Sequence, residues 1–150
     1  MKNDIMGKNI VIFSDGTCQK GGVDSNSNVY KLFNMIEDRT EIQIAYYDPG
    51  LGKGFRKITG SLFGRGFSKN ILECYRFIFE NFEANDKIYL FGFSRGVAIV
   101  RSLSAFIHLF GILPKSRPDL TKQAFAIYKK KDPKIKQVLL LKSITPCGVI

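Results

Sequence analysis

The stretch Gly92-Phe93-Ser94-Arg95-Gly96 constrains this chain more than any other. A short apolar run, Ile88 to Phe91, precedes it, and a long one, Val97 to Phe110, follows it. Strand, G-x-S-x-G and helix in that order form the setting of a nucleophile elbow. The turn is so tight that the residues two before and two after the serine must be small, and Gly92 and Gly96 meet that demand. The hydroxyl of Ser94 is then expected to project from the sheet edge. The first N–H groups of the helix, with the positive end of its dipole, lie where an oxyanion forms. The bland alternative is a Gly-Ser turn in which Ser94 caps the helix. The flanking strand and helix favour the elbow.

The residues on either side alternate between strand and helix signals. Asn9 to Ser14 is short, β-branched and apolar, which reads as a buried strand. It ends in Asp15-Gly16-Thr17, a turn signal. Val29, Leu32, Phe33 and Ile36 recur at helical spacing, so a helix is predicted over about 28–37, capped by Ser25, Asn26 or Ser27. A second strand is predicted over 41–47, closed by Asp48-Pro49-Gly50. Gly50 to Gly66 holds six glycines with Lys53, Arg56, Lys57 and Arg65, and reads either as a connector or as an anion-binding or lid loop. It lacks the G-x-x-x-x-G-K-[ST] pattern of a P-loop. Over 68–82, Ile71, Leu72, Tyr75, Ile78, Phe79 and Phe82 form one apolar helical stripe. A third strand, 87–91, leads into the elbow. The helix after it is apolar nearly all round, with Gly111 as its stop and Pro114 beyond. Arg101, Ser104 and His108 share one face of it. A weaker helix over 119–131 and a fourth strand beginning over 137–141 complete the series.

This alternation predicts the α/β class: a mostly parallel sheet with helices on both faces. Reactive groups in such sheets collect at the carboxyl ends of the strands. Asp15, Asp48 and Ser94 each fall at such an end.

With 150 residues, 45% of them hydrophobic and 13 of them phenylalanine, the chain fills one core. Cys18, Cys74 and Cys147 are odd in number and far apart, which argues against a disulfide framework or zinc site and for a reducing compartment. No metal or cofactor is expected. No signal peptide is visible and no stretch is apolar enough to span a membrane, so a cytoplasmic location is expected, with export by a signal-less system left open. The net charge of +10 is crowded into the last third, where Lys115, Arg117, Lys122 and the Lys129–Lys131 run lie. Such an excess draws a protein to anionic lipid, or simply solvates a helix face. No nucleic-acid motif accompanies it, and nucleic acid is not an expected partner.

Serine acyl transfer requires a nucleophile, a base and an oxyanion hole. Ser94 is the candidate nucleophile. The backbone N–H of Arg95, with Gly16 and Thr17 from the loop after the first strand, is the candidate hole. Asp15 is a candidate active-site loop residue. The single histidine, His108, lies 14 residues beyond Ser94 on the same predicted helix, so it is about 21 Å away and cannot take the proton. The triad acid and histidine follow the serine in α/β-hydrolases and are expected beyond residue 150. Asp15-Gly16-Thr17 also suggests a dehalogenase-type phosphatase. That chemistry needs an aspartate at position 13, and Phe13 stands there.

The segments Val11 to Thr17, Asn26 to Leu32, Tyr46 to Gly52, Phe63 to Gly66 and Asp86 to Gly96 together resemble one family. It is the α/β-hydrolase domain DUF2235 of bacterial and fungal proteins. Its members include the Tle1-like phospholipase effectors of the type VI secretion system. The resemblance covers about residues 9–113 and implies an α/β-hydrolase fold, phospholipid ester hydrolysis and a nucleophile at Ser94. It transfers no acid and no histidine. The family departs from this chain near the C-terminus. The chain is therefore expected to be the N-terminal portion, residues 1–150, of one such domain, truncated near 138–150. A reading frame shifted from about Val138 is one account of the departure, tested by the downstream DNA. The expected fold is an incomplete three-layer α/β-hydrolase type. The expected function is a phospholipase-like serine esterase with little turnover in this chain. The competing expectation is an inactive remnant or a non-catalytic module that docks on a membrane or partner. An exposed sheet edge is expected to promote self-association.

Overall fold

In the computed structural model, which describes residues 7–16, 26–50 and 65–130, three strands form one parallel sheet. β1 (Asn9–Ser14) lies between β2 (Gln43–Asp48) and β3 (Lys87–Gly92). Parallel neighbours need a crossover. The helix α1 (Asn28–Met35) lies between β1 and β2 in the chain, and α2 (Arg65–Asn81) between β2 and β3. α3 (Arg95–Phe110) and α4 (Asp119–Lys130) follow β3. In register, Ser14 stands opposite both Asp48 and Gly92. All three carboxyl ends therefore finish on one line, where Gly16, Gly50 and the Phe93–Ser94 turn lie against one another.

The central strand explains the layering. Ile10 through Ser14 are all buried, so both faces of β1 are covered. Val11 and Phe13 pack with Val29, Leu32 and Phe33 of α1 on one side. Ile10 and Ile12 join Ile71, Tyr75 and Ile78 of α2 and Ile99, Leu103 and Phe106 of α3 on the other. Phe106 is the hub of that side: the rings of Tyr75, Phe110, Phe125 and Tyr128 lie 4.8–5.7 Å from it. The Tyr75 hydroxyl donates to Gly111 O (3.1 Å) and accepts from the Leu113 N–H (3.0 Å), tying α2 to the end of α3. Gly111 ends α3 at φ 67°, a conformation glycine adopts without a Cβ clash.

The α/β class, the parallel sheet and the helices on both faces match the reading of the sequence, and the fold is that of an incomplete α/β sheet. Some boundaries differ. β2 begins at Gln43 rather than 41, because the Thr40 hydroxyl accepts the Gln43 N–H (3.0 Å) and the Thr40 N–H donates to Gln43 O (2.9 Å), closing a turn. α1 stops at Met35, since Ile36 is extended at ψ 149°. α2 starts at Arg65, three residues early. Cys74 is free and buried. Most of the glycine-rich 50–66 stretch, the strand expected over 137–141, Cys18 and Cys147 lie outside the described residues.

Candidate active site

Ser94 joins β3 to α3 with φ 52° and ψ −118°. That combination is strained for any residue with a side chain and costs on the order of 1–3 kcal/mol. Ser94 occupies the N-cap position, but its hydroxyl makes no capping hydrogen bond. The plain Gly-Ser cap is therefore not what this turn is. The turn is fixed by its backbone: the Phe93 N–H donates to Ser14 O (3.0 Å), Gly96 N–H to Phe93 O (2.8 Å) and Val97 N–H to Ser94 O (3.1 Å). Arg95 is the first helical residue, so its N–H has no acceptor within α3.

The glycines are sterically required. A Cβ on Gly96 would fall 2.0 Å from Ser14 O, and one on Gly92 would fall 2.8 Å from the Gly96 carbonyl. A Cβ on Gly16 would meet the Ser94 Cβ at 3.1 Å and the Phe93 ring at 3.3 Å. The loop after β1 therefore packs directly against the elbow. Gly50 (φ 71°) backs it from the other side, where a Cβ would meet Gly16 O at 2.4 Å.

Two buried carboxylates hold these ends together. Asp15 Oδ2 accepts from the Ser27 hydroxyl (2.5 Å) and the Tyr47 hydroxyl (2.7 Å), and Asp15 Oδ1 accepts from the Gly16 N–H (2.7 Å). Ser27 in turn caps α1, accepting the Tyr30 N–H at 3.1 Å. Asp48 accepts from the Ser14 hydroxyl (2.9 Å), from Asn70 Nδ2 (2.8 and 3.0 Å) and from the Gly50 N–H (3.1 Å). The Asp15 N–H donates to Asp48 O (2.9 Å). Burial, and secondarily the bond to Asp15, push the Tyr47 phenol up, so it stays a donor. Burial and the nearby Asp48 charge push the Cys74 thiol up, which leaves it unreactive.

The sequence-predicted residues thus divide. Ser94, Arg95, Gly16 and Asp15 come together, while Thr17 lies outside the described residues. The Gly16 N–H, expected as an oxyanion donor, is already donated to Asp15 Oδ1. His108 is exposed in the last turn of α3, on the face it shares with Arg101 and Ser104. Tyr47, Ser27 and Asn70 are the members the sequence reading passed over. Tyr47 was signalled only by the end of β2, where Tyr47-Asp48 places a hydroxyl and a carboxylate on a half-buried strand, and Ser27 only as a candidate cap of α1. Among the described residues no group of three side chains could hold a metal.

The model of the type VI secretion phospholipase effector Tle1-like catalytic domain matches residues 8–139. The chain belongs to this family. An uncharacterised protein of Saccharomyces cerevisiae, YEL023C, is 38% identical over 142 residues, covering 83% of this chain and 21% of its own length. The chain therefore spans about a fifth of the curated relative it matches. No solved structure matches it. No helix among the described residues is long and apolar enough to cross a membrane.

Proposed function

We propose that this Tle1-like domain is the nucleophile-bearing part of a serine esterase that cleaves phospholipid esters. The observation that carries the reading is the backbone of Ser94: a strained φ/ψ pair at a strand-to-helix turn, with an uncapped hydroxyl and Gly16 against it. Strain of that kind persists only where surrounding contacts over-determine it. The phospholipase effector family to which the chain belongs supports the lipid substrate class.

In this reading Ser94 Oγ attacks the ester carbonyl and forms a tetrahedral intermediate. The oxyanion is received by the Arg95 N–H at the start of α3 and by a donor from the 16–17 loop. With the Gly16 N–H held by Asp15, Thr17 is the preferred loop donor, and Gly16 contributes the open space beside Ser94. Asp15 acts as a positioning residue: clamped by Ser27 and Tyr47, it sets the loop that packs on the elbow. The proton acceptor is not His108, and no other histidine is present in these 150 residues. A base must come from elsewhere, and turnover by residues 1–150 alone is expected to be slight.

The second reading is a module that docks without turnover. Chemical rescue separates them. Hydrolysis of an activated ester is measured with and without added imidazole, for the wild type and Ser94→Ala. The esterase reading expects imidazole to accelerate the wild type beyond its own protein-free catalysis of the ester, and the variant no further than that background. Equal rates in both proteins contradict it.

A further inference from the structure

Among the described residues, β3 and α3 leave one flank of the fold uncovered. Tyr89 and Phe91 stand in register beside Val11 and Phe13, and the Phe91 ring stacks on Phe13 at 5.1 Å. Yet they are 43% and 39% exposed, while α1 packs over β1 and β2. Phe93 and Val97, which bracket Ser94, are 45% and 41% exposed. Four large apolar side chains therefore run along β3 and over the elbow into α3.

Along this segment of the chain the charge is of one sign. From Lys87 to Pro118 the chain contains no Asp or Glu, but it contains Lys87, Arg95, Arg101, Lys115 and Arg117. Arg117 pairs with Asp119. The other four form no ion pair among the described residues. Arg95 Nη2 is buried with no hydrogen-bond partner there. A second copy of this flank is a poor occupant. It would set cation against cation with no carboxylate between them, on a chain of net charge +10. Exposed rings on a segment whose own charged side chains are all basic match an anionic lipid interface instead. There, rings sit at the headgroup level and each basic side chain adds on the order of 1 kcal/mol.

We propose that this flank seats the protein on an anionic phospholipid bilayer, with Phe93 and Val97 entering the headgroup region and the exposed Arg101 meeting lipid phosphates. The inference rests on the phospholipid-esterase reading for its purpose, since it brings the lipid surface to the Ser94 hydroxyl. It depends on no catalytic step.

The chain has no tryptophan, so a single introduced one reports cleanly. Phe93→Trp is titrated with vesicles of phosphatidylglycerol and phosphatidylcholine, and with phosphatidylcholine alone. The control is Met35→Trp, at an exposed site on α1. Emission at position 93 is expected to shift to the blue with the anionic vesicles, to shift little with the neutral ones, and to revert in high salt. Emission at position 35 is expected to stay unchanged. In co-sedimentation, Phe91→Ser is expected to weaken binding roughly tenfold, the worth of one buried ring. Arg101→Glu is expected to weaken it roughly fivefold or more, with circular dichroism matching the wild type in both variants. Equal shifts at both tryptophans, equal binding to neutral vesicles, or variants that bind as the wild type does would overturn the proposal. So would a Phe93→Trp emission already blue-shifted without lipid in a sedimenting dimer. Vesicle binding without Ser94-dependent hydrolysis counts against the esterase reading and leaves the docking surface standing. Ser94-dependent cleavage of a soluble ester without vesicle binding does the reverse.

Discussion

Ser94 holds a backbone that its own side chain disfavours, and the residues around it keep it there. Replacing it with glycine removes the Cβ from a φ of 52°, so Ser94→Gly is expected to stabilise the fold by about 1 kcal/mol in urea unfolding. A serine in a relaxed loop would instead lose stability on the same change. Gly96→Ala is expected to cost about 3 kcal/mol, because its Cβ meets backbone at Ser14 rather than a side chain that can swing away. Tyr47→Phe removes one donor from the buried Asp15 carboxylate and is expected to cost about 2 kcal/mol. Combined with Ser27→Ala, which removes a donor from the same oxygen, the two losses are expected to be non-additive in a double-mutant cycle. At this scale the pattern of small residues around the serine was readable, because G-x-S-x-G states a steric demand directly. The capture of the Gly16 N–H by Asp15 was not. That bond depends on where Ser27 and Tyr47 hold the carboxylate, 12 and 32 residues away in the chain.

The elements owe their positions to pairing rather than to propensity. β1, β2 and β3 were legible as short apolar runs, and the parallel order put Asp15, Asp48 and Ser94 at one end of the sheet, where β1 and β2 are also tied through Ser14 and Asp48. The start of β2 was misread by two residues, because Thr40 closes a turn that periodicity does not encode. α2 and α3 lock together through Tyr75, whose phenol is raised from 10.0 to about 12, chiefly by burial. A raised phenol pKa means that the fold prefers the neutral form. Its contribution is whole below pH 10.0 and is lost as the pH climbs through about 12. Tyr46 carries a shift of the same direction and size, also led by burial. Unfolding free energy is therefore expected to fall above pH 10, with tyrosinate absorbance rising alongside loss of helical circular dichroism. In Tyr75→Phe the slope above pH 10 is expected to be shallower. An unchanged slope means the phenol is not held neutral by the core.

Across the whole molecule, the family was readable because several separated motifs kept their order, and it matches residues 8–139. The direction of the positive charge was less readable. Counting lysines points to the last third of the sequence, whereas the segment Lys87 to Pro118, which has no carboxylate of its own, carries the exposed Tyr89, Phe91, Phe93 and Val97. Composition cannot reveal that placement, since exposure of Tyr89 and Phe91 depends on which strand lies at the edge of the described sheet. The central claim concerns one hydroxyl. Its direct test is mass spectrometry of the chain after treatment with an activated ester in imidazole buffer, followed by tryptic digestion. The account predicts an acyl adduct on the peptide Ile88–Arg95, located at Ser94 and absent from Ser94→Ala. Acylation scattered over lysines and other serines, with none at Ser94, would contradict it.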